Sequence, residues 1–273
     1  MTLLINKLNK IINKEYTNEI LNIINIKCKS IRTPKYTNEY YLYYIILVLT
    51  DLQKWQSLTL ILDKKTSKNH YKTIQDKHLQ WSELNIYEDA YRVLLKKYKI
   101  SNLTDTKNLT LFIDSSLIYN KNGSVQVEYG SNPKKKESKI SAICDEHKNI
   151  YSIIITKTSA NDSKTVRHTL ENLKELKLKY KTLHLVGDKG YATNIIDKKK
   201  LLKDFKVNLV YPNKKNQKQR TSEFNKKKLK KRYVIENVFA ILKNFNRIVV
   251  RKDKLSSTYK GFIFLASILK FKK

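Results

Sequence analysis

The chain has 273 residues and a formal net charge of +32, from 56 Lys and Arg residues against 24 Asp and Glu residues. This length accommodates one large domain or two smaller ones, and a content of 41% hydrophobic residues excludes a disordered basic tail. A folded chain this basic predicts a polyanionic partner, and nucleic acid is the first candidate. An anionic membrane surface is the competing partner, but the lysines are spread along the chain rather than placed on one amphipathic helix.

The two cysteines, Cys28 and Cys144, are far apart and have no neighbours at metal-ligand spacing. This argues against a structural zinc site and against a disulfide framework, in keeping with a reducing compartment. The most apolar run, Tyr40 to Thr50, is too short to span a bilayer and too far from the N-terminus for a signal peptide. We therefore expect a soluble cytoplasmic protein without a membrane partner, associated with the nucleoid if the host is prokaryotic.

The first hundred residues predict a helical region with a break at Thr33-Pro34. Ser82 is the expected N-cap of the last helix in this region. Short helices joined by tight turns on a basic chain are typical of a helix-turn-helix-like module, but a helical bundle that packs against its neighbour gives the same pattern. Both interpretations remain open. The helices after the break are expected at 39–52, 58–62, 67–80 and 82–98.

Short β-branched runs replace the helical pattern after a polar linker at 101–108. A three-stranded meander followed by alternating strands and helices predicts an α/β (α+β) fold, with a mixed five-stranded sheet flanked by helices. Asp162 or Ser163 is the expected cap of the helix after the meander. The strands are expected at 109–114, 139–144, 150–156, 182–187 and 207–211, and the later helices at 162–178, 192–205, 231–243 and 259–269.

Two of the predicted strands end in an acid. Asp114 ends the first strand, and Asp188 follows the fourth. If these strands lie side by side and parallel, their carboxyl ends meet and the two acids lie about one strand spacing apart. Adjacent carboxylates repel each other unless a cation holds them, and hard oxygen ligands suit Mg²⁺, with Mn²⁺ as a substitute.

A third acid comes from the segment Lys231–Lys243, which predicts an amphipathic helix with an apolar stripe on one side. Arg232, Glu236 and Lys243 share another face. A solvated row of salt bridges would give the same face. Together with Asp114 and Asp188, however, Glu236 supplies enough carboxylates for two metal ions roughly 3.5–4 Å apart, the arrangement used for in-line attack on a phosphodiester.

Several motifs resemble those of the DDE transposases of bacterial insertion sequences, which share the ribonuclease H-like fold. The resemblance covers most of the chain. Its motifs are Phe112-Ile-Asp114-Ser-Ser116, Gly187-Asp188-Lys-Gly-Tyr191, and the set Arg232, Glu236 and Lys243. Leu229 stands where some members of the family carry a tyrosine, so no role is transferred to that position.

The resemblance implies that Asp114, Asp188 and Glu236 are the catalytic residues and hold the metal ions. It implies that Arg232 and Lys243 contact DNA phosphate or orient Glu236, and that Lys189 and Tyr191 touch the DNA near the cleaved bond. The basic loop before the catalytic helix either contacts the DNA backbone or is a solvated charged loop. Its candidate DNA-binding residues are Lys214, Lys215, Lys218 and Arg220.

The resemblance further implies a DNA transposase that cleaves and joins strands at the ends of a mobile element. Its partners would be the element ends and target DNA, both double-stranded, and it would act as a homodimer. Residues 1–105 would recognise the ends, and residues 106–273 would form the catalytic domain. Two alternatives remain open: a ribonuclease H-like nuclease without strand transfer, and a catalytically silent DNA-binding derivative.

Other acids compete for the catalytic positions, and the sequence gives each of them a structural role. Asp145 and Glu146 are expected to face solvent in a hairpin turn, and Asp162 to cap a helix. Asp197 and Asp204 are expected to form local salt bridges within a lysine-rich helix.

Overall fold

The computed structural model describes residues 2–28, 35–52, 54–62, 70–100, 108–129, 135–212 and 222–271. The α-helices are α1 Thr2–Ile11, α2 Lys14–Lys27, α3 Asn38–Leu47, α4 His70–Glu83, α5 Ile86–Leu95, α6 Asp162–Lys174, α7 Ile195–Phe205, α8 Glu223–Lys230, α9 Tyr233–Lys243, α10 Asn246–Val249 and α11 Ser256–Leu269. The strands are β1 Asn108–Asn120, β2 Glu128–Tyr129, β3 Lys136–Cys144, β4 Ile150–Thr156, β5 Thr182–Val186, β6 Val207–Val210 and β7 Val250–Arg251. Short 3₁₀-helices occupy Trp55–Leu60 and Lys189–Tyr191.

The chain forms two compact units. The helical unit comprises Met1–Lys97, Lys121–Val125 and Leu242–Lys273, and the sheet unit comprises Tyr98–Asn120 and Gln126–Ile241. The C-terminal helix α11 therefore groups with the N-terminal helices, whereas the sequence interpretation placed it with the catalytic region. The functional division at residue 105 stays a prediction. Within the described ranges, the helices are all too short or too polar to cross a membrane.

The sheet unit is built on a mixed sheet. β3 pairs antiparallel with β1 and with β4, whereas β5 pairs parallel with β1 and with β6. The strand order is thus β4-β3-β1-β5-β6, and the short β2 pairs with the start of β3. α6 packs against β4, and α7 packs against β6. This arrangement confirms the predicted mixed sheet flanked by helices, and it is consistent with a ribonuclease H-like fold.

β1 is longer than the sequence predicts. The expected strand ended at Asp114, but β1 continues to Asn120 because Ser115 to Tyr119 pair with β3. On the side where β1 pairs with β3, the strand therefore continues past Asp114, and the prediction that Asp114 ends it is wrong. With respect to β5 it holds, since the last parallel pair joins Phe112 and Val186.

The helical unit is organised around α11, whose residues from Thr258 to Ile268 are almost all buried. A helix that is apolar on every side belongs in a core. Gly261 allows α11 to approach α4 closely, since a Cβ at this position would lie 2.3 Å from Ser82 Oγ. Ser82 is thus a buried packing residue within α4, and the prediction that it caps a helix is wrong: Asn85 precedes α5.

His78 is fully enclosed in this core. Its Nε2 donates to the Thr258 carbonyl oxygen at 3.1 Å, and its Nδ1 accepts from the Tyr87 hydroxyl at 3.1 Å. The imidazole also stacks on Phe262, with ring centroids 4.0 Å apart. Burial lowers the pKa of His78 to about 3, so the ring is neutral in the folded protein at ordinary pH.

This pKa predicts a loss of stability in mild acid. Unfolded His78 binds a proton near pH 6.5 and the folded ring does not, so its contribution is fully present above pH 6.5 and is lost as the pH falls toward 3. Between pH 7 and pH 5 the loss is about 2 kcal/mol. Urea unfolding followed by tryptophan fluorescence at both pH values tests this. His78→Gln should flatten the pH dependence, whereas the exposed His168→Gln should retain it. An equal pH dependence in wild type and His78→Gln would contradict the assignment.

Candidate active site

The register of β1 and β5 brings two predicted acids together. Their parallel pairing ends at Phe112 and Val186, and Asp114 and Asp188 each lie two residues further along. Continuing the register places the two acids at the same level, about 4.8 Å apart at the backbone, the spacing of neighbouring strands. The sheet therefore brings these carboxylates to one edge of the parallel pairing, as the sequence predicts.

Asp114 is held by two donors. Its Oδ1 accepts from the Ser115 N–H at 2.8 Å, and its Oδ2 accepts from Arg232 Nη1 at 3.1 Å. The pKa of Asp114 is nevertheless raised, chiefly because the carboxyl is buried, and Asp188 and Glu236 raise it further. Both of the other predicted acids therefore act electrostatically on Asp114.

Arg232 connects the sheet to the helix that carries the third acid. Its Nη2 lies 2.7 Å from Glu236 Oε1, while its Nη1 binds Asp114. The helix predicted at 231–243 begins two residues later than expected: α8 ends at Lys230, and Arg232 precedes α9, which places Glu236 in the first turn of α9. One guanidinium thus joins two carboxylates that belong to different elements.

Asp188 organises the turn after β5. Its Oδ1 accepts from the Gly190 N–H at 2.7 Å and caps the 3₁₀-helix Lys189–Tyr191. A Cβ on Gly187 would lie 2.7 Å from Tyr191 Cδ2 and 3.1 Å from Ile113 Cγ2. Since real Cβ atoms do not come so close, only glycine lets Tyr191 pack under the turn that presents Asp188.

The predicted DNA-contacting residues differ in their exposure. Lys189 is exposed beside Asp188, and Lys243 is exposed in the last turn of α9. Tyr191 is 1% exposed, so in this arrangement its ring supports the Asp188 turn and offers no surface to DNA. The DNA contacts of all three stay predictions. The candidate DNA-binding residues of the basic loop lie outside the described residues; they are Lys214, Lys215, Lys218 and Arg220.

Asp162 borders the site although the sequence assigned it to a helix cap. That assignment is wrong, because Asn161 caps α6 through its side chain. Asp162 Oδ1 instead accepts from Ser115 Oγ at 2.9 Å and from Lys139 Nζ at 3.2 Å. A Cβ on Gly190 would lie 3.4 Å from Asp162 Oδ2 and 3.0 Å from Asp188 Oδ1, so both acids flank that glycine. The signal in the sequence that could have identified Asp162 as a site residue was its position at the start of the helix that follows the meander.

The other competing acids have structural roles. Asp145 is 8% exposed and accepts from the N–H groups of His147 and Asn149, so it braces the hairpin turn and does not face solvent as predicted. Glu146 does face solvent and pairs with Lys231 at 2.6 Å.

Asp204 pairs with Arg167 of α6 at 2.9 Å, which is a contact between helices and not the predicted local bridge. Asp197 accepts locally, from the Thr193 hydroxyl at 3.3 Å. Neither residue takes part in the contacts that join Asp114, Arg232 and Glu236.

The donor set suits a hard divalent cation, since Asp114, Asp188 and Glu236 offer only carboxylate oxygens. Among the described residues, no three such ligands are assembled at metal-binding distance. The guanidinium of Arg232 already provides positive charge between Asp114 and Glu236. These side chains are therefore suitable ligand types for a divalent metal ion. Such an ion would have to displace Arg232 from the carboxylate oxygens.

Comparison with known proteins identifies the family. Residues 105–269 match the model of the transposase DDE domain. A search of curated protein sequences finds no match. A piggyBac transposase synaptic complex with hairpin DNA matches at 18% identity and a TM-score of 0.37, over 81% of this chain and 52% of that chain. A pre-cleavage Mos1 transpososome matches at 11% identity and a TM-score of 0.27, over 89% and 79% respectively.

These structural likenesses are remote, and this chain spans about half the length of the piggyBac transposase chain. The assignment therefore depends on the family model, which covers more than half of the chain and contains Asp114, Asp188 and Glu236. The chain belongs to the family defined by the transposase DDE domain.

Proposed function

We propose that this protein is a DNA transposase of the bacterial insertion-sequence type, which cleaves DNA at the ends of a mobile element and joins them to target DNA. The observation that carries the proposal is the convergence of Asp114, Asp188 and Glu236 from a strand, a turn and a helix, with Arg232 bound to two of them. Family membership supports phosphoryl transfer as the reaction class.

In this proposal the protein positions groups and forms no covalent intermediate. Mg²⁺ or Mn²⁺, held by Asp114, Asp188 and Glu236 as two ions, would neutralise charge and activate the attacking water or 3′-hydroxyl. The Ser115 N–H orients Asp114, the Gly190 N–H orients Asp188, and Arg232 orients Glu236. Asp114 and Asp188 thus each have a backbone donor that limits rotation of the carboxylate, which reduces the reorganisation needed when substrate binds.

The proposed substrate is double-stranded DNA, bound at the element ends and at the target. A net charge of +32 supports a strong, salt-dependent attraction to phosphate. Exposed Lys189 lies next to Asp188, where it can reach a strand near the cleaved bond. Joining two ends requires two active sites, so we propose a homodimer on DNA and a cytoplasmic location with the nucleoid.

Glu236→Gln tests the reaction. We expect wild-type protein with Mg²⁺ to nick a labelled duplex carrying the DNA that borders the gene and to leave a 3′-hydroxyl. The variant should cleave about 10³-fold more slowly and still bind, because several kcal/mol of charge stabilisation is lost. Glu223→Gln, an exposed residue of α8, is the matched control. Cleavage without joined products would identify a nuclease, and binding without cleavage in Mg²⁺ and Mn²⁺ would identify a silent derivative.

Arg232→Gln tests how the site accepts metal. The guanidinium and a metal ion compete for the same carboxylates, so removing it should strengthen Mn²⁺ binding roughly tenfold in the absence of DNA. Electron paramagnetic resonance of free Mn²⁺ measures this directly. Arg167→Gln, on α6, is the control. Weaker Mn²⁺ binding in Arg232→Gln would mean that Arg232 holds the carboxylates in place and does not stand in for the metal.

A further inference from the structure

The helical unit contains a cavity of about 620 Å³. Its walls come from four segments, 54–56, 75–79, 122–124 and 247–258, all within this unit. The volume lies in the range of small-ligand sites. It is much larger than an inorganic phosphate needs and is sufficient for one nucleotide.

Part of the cavity lining is buried and nearly neutral in charge. Arg247 is buried and donates to both carboxylate oxygens of Asp253, at 2.7 and 3.2 Å, so its charge is already balanced. Its guanidinium also lies 5.6 Å from the ring centroid of Trp55, which lines the cavity. His78, whose pKa is lowered to about 3, adds no charge. This part of the lining therefore offers the Trp55 side chain and a charge-balanced ion pair.

The walls carry an excess of positive charge. Lys54, Lys252 and Lys254 line the cavity, and Asp76 is the acid that remains there once Asp253 is committed to Arg247. The pKa of Lys252 is lowered by burial and by the nearby cations, Lys54 among them. Like charges gathered around a cavity repel one another, and an anionic guest relieves that repulsion.

Two of these lysines, Lys252 and Lys254, belong to a backbone segment that is held in place by hydrogen bonds. Arg251 is buried and donates to the carbonyl oxygens of Asp253 and Lys254, both at 3.1 Å. The Lys121 N–H donates to the Arg251 carbonyl oxygen at 2.9 Å, and the Ser124 N–H to the Lys254 carbonyl oxygen at 3.3 Å. The cavity is thus a built feature of the unit and not a gap between mobile side chains.

We propose that this cavity binds one nucleotide of a DNA strand. Its phosphate is bound by Lys54, Lys252 and Lys254, and its sugar and base lie against Trp55 and the amide side chains of Gln56, Gln75 and Asn122. A free nucleotide presents the same phosphate chemistry, and the choice of a DNA strand rests on the proposed function. The cavity would then give the helical unit a contact with DNA that is separate from the acids of the sheet unit.

Tryptophan fluorescence of the full chain can report this site. The protein has two tryptophans, and Trp81 is 0% exposed in the core, whereas Trp55 lines the cavity. A short 5′-phosphorylated single-stranded oligonucleotide, added with EDTA so that no cleavage occurs, should change the emission. Lys54→Ala/Lys252→Ala should abolish this change and raise Kd on the order of tenfold or more. The slope of log K against log salt should become shallower by about 1 for each lysine removed.

Lys7→Ala/Lys72→Ala is the matched control, since both lysines are exposed in the same unit and outside the cavity. If both double variants weaken oligonucleotide binding equally and the tryptophan response is intact, the proposal is overturned in favour of general electrostatic attraction to the protein surface. An equal response to polyglutamate would overturn nucleotide recognition. Thermal melting verifies folding, and Lys54→Gln/Lys252→Gln is the second pair if the alanine pair is unstable.

Competition with a deoxynucleoside monophosphate distinguishes a site for a free nucleotide from a site for a DNA strand. Displacement of the oligonucleotide by the monophosphate would support a free-nucleotide site, and failure to displace it would support a site for a strand. Binding is measured without metal, so its outcome is independent of the cleavage test: a protein that never cleaves can pass this test, and an active transposase can fail it.

Discussion

The parallel pairing of β1 with β5 is the constraint on which the candidate site depends. It ends at Phe112 and Val186, and this end point sets Asp114 and Asp188 at one level. A shift of one residue would turn one of the two side chains to the opposite face of the sheet, because side chains alternate along a strand. The register is fixed by the buried faces of the two strands, so the positions of the acids follow from core packing.

The carboxylates gathered by this register are stable only because cations and N–H groups surround them. Arg232 binds both Asp114 and Glu236, and Lys139 binds Asp162. Burial still raises the pKa of Asp114 in spite of its donors. A divalent cation bound at the proposed metal site would lower this pKa.

Residue patterns predicted the parts of the fold that depend on local periodicity. The hairpin β3–β4, the parallel neighbours β1 and β5, and the third acid on a late helix were all expected. What local patterns could not predict were tertiary contacts. Asp162 and Asp145 have sequence contexts typical of a cap and a turn, and only the folded chain shows that one contacts Ser115 and the other is buried. The grouping of α11 with the N-terminal helices also depends on long-range packing. Gly261 permits this packing because it lets α11 lie close to Ser82 of α4.

The distribution of charge in the two units has a common physical logic. In the sheet unit, acids are concentrated at the proposed metal site, and Arg232 contacts two of them. In the helical unit, lysines line a cavity in which Arg247 and Asp253 already neutralise each other. Like charges held close together raise the free energy of the unliganded protein, and a ligand of opposite charge lowers it. The proposed partner of each cluster has the opposite sign: a metal cation at the acids and a nucleotide phosphate at the lysines. The proposed cleavage of DNA would use both partners, and separate sets of residues that can be altered independently would bind them.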